Sequence, residues 1–175
     1  MNTARFPSEP ARDFAGRLAA LARRDDRAPL AELRRFADQR EPSVASWSAL
    51  GRLGAPLDDP ARTDDYALVA GLFAVYHQGT APEAAGQGNL GASFGALVRS
   101  DTSGAPAAER RLQELLALDR ASLPDQLRRA VTLLRSKGVA IDWAALICDL
   151  ADWSFPSREV QESWMTAFVR SAYAA

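Results

Sequence analysis

Apolar positions along this chain recur every three or four residues, and no stretch alternates apolar and polar in the manner of a strand. The pattern predicts an all-α protein, a helical bundle of about seven to nine helices without a sheet. Ser8 is placed to cap a first helix in which Phe14, Leu18, Leu21 and Ala22 share a face. Leu30, Leu33 and Phe36 mark the inner side of a second helix in APLAELRRFADQ, and a third covers Ser43 to Leu53. Two prolines among Asp and Gly make GAPLDDPARTDD a turn, after which Thr63 or Asp64 is expected to cap the uncharged helix YALVAGLFAVYHQ. The Gly/Ala/Pro stretch from Gly79 to Gly88 has no periodicity and reads as a mobile loop. Another helix follows through about Arg99, and SDTSGAP breaks the chain again.

The C-terminal third is the most regular. Helices are expected over about Ala107–Leu118, Leu123–Ser136, Trp143–Trp153 and Arg158–Tyr173. Ser122 with Asp125 is close to a capping box, Pro124 falls in a first turn, Gly138 suits the position that ends a helix, and Asp142 caps the next. Trp143, Leu146, Ile147, Leu150 and Trp153 form one stripe with Asp149 and Asp152 outside it, and Val160, Trp164 and Phe168 repeat every four residues. These tryptophans read as core. The short turn Lys137–Ile141 predicts that its two flanking helices are antiparallel neighbours with one shared apolar seam, a basic flank and an acidic flank.

Length and composition bound the rest. The 175 residues suffice for one domain with a sizeable core, with an N-terminal helical half over about 1–100 and a C-terminal four-helix half over about 105–175. No apolar run approaches the roughly 20 residues of a membrane span. The first residues lack a secretory segment, and a single cysteine, Cys148, fits a reducing compartment, so the expectation is a cytoplasmic protein away from membranes.

The near-neutral total conceals an uneven distribution. The formal charge is -1, yet residues 110–137 carry seven basic and three acidic side chains while residues 41–109 carry three and eight. Of 21 basic residues, only Lys137 is lysine. Catalytic chemistry is hard to find. His77 stands alone, Cys148 lies beside a Trp/Leu face, no set of ligands has metal spacing, and the glycines of GQGNLGASFG lack a phosphate-loop lysine. No nucleophile–base pair is visible, so no enzyme and no cofactor is expected.

Arginine in repeated positions is what remains. Arg34-Arg35, Arg110-Arg111 and Arg128-Arg129 are doublets on predicted helices, Arg135 is two turns beyond Arg128, and Arg120 lies in a connection. Guanidinium groups grip phosphate in two-point fashion and stay charged, so this set suits a nucleic-acid backbone. The bland alternative is a solvated face paired to Glu32, Glu109, Glu114 and Asp125, in a helical scaffold or adaptor without nucleic-acid contact. A pI near 5.9 argues against a free-standing DNA binder and for a member of an assembly.

The run AERRLQELLALDRASLPDQLRRAVTLLRSKGVAIDWAALICDLADW, followed by VQESWMTAFV, resembles the C-terminal half of the CasB family. The elements that carry the likeness are ERR, a turn arginine, LRR, VAIDW, DLADW and WMTAF, in that order. AELRRFA, LVAGLFAVYH and GNLGASFGALV agree more loosely in the N-terminal half. That family supplies the small subunit of Cascade, the type I-E CRISPR surveillance complex. The resemblance implies an all-helical, non-catalytic subunit present in two copies beside other Cascade subunits. It also implies sequence-independent contacts to guide RNA and target DNA that stabilise the displaced strand. By motif, Arg34, Arg35, Arg110, Arg111, Arg120, Arg128 and Arg129 are carried over, and the charge pattern adds Arg99, Arg135 and Lys137. The last helix departs from the family, with Glu159 and Glu162 where a basic run is common.

Overall fold

The computed structural model describes residues 7–39, 43–78 and 86–173. Among these are nine α-helices and no strand: α1 (Glu9–Arg23), α2 (Arg27–Gln39), α3 (Val44–Leu53), α4 (Pro60–Tyr76), α5 (Leu90–Ser100), α6 (Ala105–Leu116), α7 (Leu123–Ser136), α8 (Trp143–Asp152) and α9 (Glu159–Tyr173), with a 3₁₀ turn at Thr102–Gly104. The all-α expectation holds. The loop expected to be mobile lies mostly outside the described residues.

Several helix ends follow the local chemistry read from the sequence. Ser8 Oγ accepts from the Ala11 N–H, Asp142 Oδ1 accepts from the Ala145 N–H at 2.9 Å, and Gly138 takes the left-handed conformation (φ 66°) just past α7. Two ends differ. α4 starts at Pro60 and is capped by Asp59, not by Thr63 or Asp64, because proline's fixed φ is ready-made for a first helical position. Thr63 is instead buried, its hydroxyl donating to Pro56 O (2.6 Å) and Asp59 O (2.8 Å). The Ser122–Asp125 capping box does not form, since the Asp119 carboxylate has taken the Ser122 N–H at 2.8 Å.

Helix α4, uncharged from Tyr66 onward, is the axis of the fold. It is buried on nearly every side, with α2, α7 and α8 packed around it. α7 and α8 touch each other little, which corrects the expected hairpin with a seam of its own; each lays its apolar face on α4. Three contacts steer the connection between them. Tyr76 Oη donates to Val139 O (2.7 Å), Ser93 Oγ to Ala140 O (2.8 Å) and the Gly86 N–H to Ile141 O (3.2 Å).

α5 and α9 meet with their backbones close together. A Cβ on Gly91 would stand 2.0 Å from Trp164 O, and one on Gly95 would stand 2.6 Å from Phe168 O. These glycines are helix-packing residues, spaced four apart so that both meet α9. Around this crossing the tryptophans are pinned by polar partners. Trp153 Nε1 donates to Leu118 O (3.0 Å), and Trp164 Nε1 donates to Asp149 Oδ2 (2.7 Å). Asp149 is thus buried within the core and not on an outer acidic flank, a placement that a buried carboxylate tolerates only with a donor at hand.

Candidate nucleic-acid interface

The buried sides of α6 and α7 come from Leu112 and Leu115 on one helix and Leu123, Leu127, Ala130, Val131 and Leu134 on the other. Burying those leucines fixes where their neighbours must go. Arg111 precedes Leu112 by one residue and so stands beside its face, and Arg128 and Arg129 flank the Leu127–Ala130 side. All three meet an open groove of about 580 Å³ that Asp125, Thr132, Leu133 and Ser136 complete. Residues 18 apart in the chain thereby share one surface.

The structure sorts the ten predicted basic residues by what already holds them. Among the described residues, the side chains of Arg110, Arg111 and Arg129 have no ion-pair or hydrogen-bond partner. Arg110 and Arg129 are exposed and Arg111 is half-buried. Arg128 is engaged within the protein and also lines the groove. Arg34 is half-buried on α2, and Arg35 is exposed and paired with Glu32 at 2.8 Å.

The other four are held by acceptors elsewhere in the fold. Arg99 Nη1 donates to Ser171 O (2.9 Å) at the end of α9, and Arg135 Nη2 donates to Gln78 O (2.5 Å) beyond the end of α4. Arg158, which sequence reasoning did not single out, does the same for Leu116 O (2.5 Å) at the end of α6. A guanidinium at a helix C-terminus satisfies carbonyls that have no intrahelical donor and meets the negative end of the dipole. Lys137 Nζ pairs with Asp101 Oδ2 at 3.1 Å. Ser103, Lys137 and the Gly104 N–H together hold the Asp101 carboxyl down at about 2. Arg120 donates to the Asp65 carboxylate on α4, and burial pushes that carboxyl above the usual range in spite of the guanidinium beside it.

The structure also adds a residue. Arg52 on α3 shares a shallow groove of about 460 Å³ with Arg35, Glu32, Pro29 and Ser48. In sequence it belongs to the acidic middle segment, and only the packing of α2 on α3 makes it Arg35's neighbour. The opposing acids are also partly accounted for. Glu109 accepts from the Tyr173 hydroxyl, which leaves it a poorer partner for Arg110. Among the described residues no cluster of His, Cys, Asp or Glu could hold a metal, and no helix is long and apolar enough to cross a membrane.

Comparison with known proteins meets this geometry from outside. The family profile described as CRISPR-associated protein Cse2 matches residues 29–168, which include both grooves. A CRISPR-associated protein Cse2 of Thermus thermophilus is 32% identical over 97 residues, a match spanning 55% of this chain and 51% of that relative, or about half its length. The crystal structure of M. ruber CasB superposes with a TM-score of 0.71 at 28% identity, covering 93% of this chain and 94% of that one. A chain from a CRISPR RNA-guided surveillance complex in a pre-nicking state superposes at 0.77 with 27% identity and 94% coverage of each.

Proposed function

This chain belongs to the CRISPR-associated Cse2 family, and we propose that it is the non-catalytic small subunit of a type I-E CRISPR surveillance complex. In this reading it works in the cytoplasm beside the other Cascade subunits and a second copy of itself. It grips the backbone of guide RNA and target DNA and steadies the displaced strand. The observation that carries the reading is that Arg111 and Arg129 converge on one open groove without an internal partner. The new guide–target duplex is about as stable as the DNA duplex it replaces, so modest backbone contacts suffice to tip the exchange. Base pairing reads the sequence, and these arginines read only phosphates.

Titration of single-stranded oligothymidylate over a range of salt tests this. The variant Arg111→Ala/Arg129→Ala should weaken binding alike for any sequence and flatten the plot of log affinity against log salt by about 1.4, at about 0.7 per lost contact. Arg62→Ala, which lies outside the groove, should leave the slope unchanged. Arg52 is unsuited as a control because it adjoins Arg35. A second reading, a helical scaffold without nucleic-acid contact, draws support from the engagement of Arg99, Arg120, Arg135 and Lys137 within the protein. It wins if the double variant melts normally and binds with the original slope.

A further inference from the structure

The α6–α7 groove has a neighbour. Arg128 and Asp125 also line a second concavity of about 670 Å³, floored by Leu68, Leu72 and Leu150, and Arg120 forms part of its wall. Arg120 therefore extends the row of Arg111, Arg129 and Arg128 past the start of α7, where a helix presents its positive end. Its guanidinium is anchored across 55 residues of chain by Asp65 on α4. The Asp65 side chain is 10% exposed, whereas that of the arginine is 26% exposed.

Such a pair is a poor device for stability alone. Desolvating a carboxylate costs as much as the ion pair returns, and well-packed apolar residues commonly do as well. The upward push on the Asp65 carboxyl is a sign of that cost. What the pair does achieve is to fix a long, flexible cation. A guanidinium carries five N–H donors, so an acid that takes one of them leaves others for a second anion. Asp64 and Asp125 line the same concavity and would compete for an unanchored arginine. A buried anchor on the rigid central helix removes that freedom before any ligand arrives.

We propose that Asp65 is a positioning residue for backbone binding, holding Arg120 so that its remaining N–H groups meet a phosphate next to Arg128. This rests on the backbone-binding reading above. The test uses the whole chain and oligothymidylate. Asp65→Asn should weaken binding by about threefold to tenfold, although it raises the net charge by one and Coulomb attraction alone would tighten it. Arg120→Gln should lower the salt slope by about 0.7. Adding Asp65→Asn to Arg120→Gln should then weaken binding no further, because the two residues act as one unit.

Asp65→Asn that folds and binds as tightly as the parent, or Arg120→Gln with the parent's slope, overturns the proposal. Where Asp65→Asn does not fold, the pair replacement Asp65→Leu/Arg120→Met takes its place, and an unchanged slope in that variant is equally fatal. The wider reading fails separately. If Arg111→Ala/Arg129→Ala leaves the slope intact, backbone binding itself is wrong. If that variant loses slope and Arg120→Gln does not, only the role of Asp65 and Arg120 falls.

Discussion

The α5–α9 crossing and the α6–α7 groove are assembled from similar materials, short helices with an apolar side and arginines at the margin, and they end in opposite states. At the crossing, Gly91 and Gly95 let two backbones touch, which leaves no room for a solvated side chain between them. Trp164 is tied to Asp149, and Arg99 closes the end of α9. At the groove, leucines of ordinary size line the buried sides of α6 and α7, and Arg111 and Arg129 stand beside an open gap without an ion pair or hydrogen bond of their own among the described residues. The lesson is that an arginine's availability depends on what its neighbourhood has left unsatisfied. Arg99, Arg120, Arg135 and Lys137 found acceptors elsewhere in the fold, whereas the side chains of Arg110, Arg111 and Arg129 have none among the described residues.

The contrast can be broken most severely at the crossing. Gly91→Val would drive a branched side chain into the Trp164 carbonyl, so a loss of about 3 kcal/mol or more is expected in urea unfolding. A variant that melts like the parent would mean that the two helices do not approach so closely. Trp164→Phe keeps most of the ring volume but removes one donor to buried Asp149, with an expected loss of about 2 kcal/mol from the carboxylate oxygen left unsatisfied. Neither change should alter the salt slope of the folded fraction.

A milder comparison sets one arginine against another. Arg99→Ala should lose about 1 kcal/mol, the worth of a guanidinium–carbonyl hydrogen bond, without changing the salt slope. Arg111→Ala should do the reverse, with less than about 0.5 kcal/mol of stability lost and a slope lower by about 0.7. Equal behaviour of the two would erase the distinction between inward and outward arginines.

The smallest effect expected is acid-dependent. The Asp101 carboxyl is held down at about 2 from an ordinary 3.8. A carboxyl with a lowered folded-state value adds stability above the unfolded value and loses it as pH falls toward the folded one. The difference in melting temperature between the parent and Asp101→Asn should therefore be constant above about pH 4 and fade toward pH 2. A difference that persists unchanged at pH 2 would show that the carboxylate charge is not what matters.

Much of the local architecture was legible beforehand. The stripe from Trp143 to Trp153 and the Val160–Trp164–Phe168 repeat are buried as their spacing implied. Ser8, Gly138 and Asp142 end or start helices because the chemistry that places them acts within a few residues. The Asp59 cap was missed because Thr63 and Asp64 offered equally good side chains, and only the fixed φ of Pro60 favoured the earlier start. Asp149 was misplaced because its partner is an indole 15 residues away, beyond the reach of any helical periodicity.

What the sequence determined by itself is the set of helices, the apolar side of each and the clustering of arginine in doublets, since these depend on interactions within a turn or two. It could not say which helix packs on which, and so it made α7 and α8 partners when both lie on α4. Nor could it separate Arg111 and Arg129 from Arg99, Arg120 and Arg135, which carry the same charge in similar surroundings of sequence. That separation is made by acceptors distant in the chain: Ser171 O, Asp65 and Gln78 O. A hydrogen bond needs its atoms within about 3 Å, and only the tertiary fold brings them there.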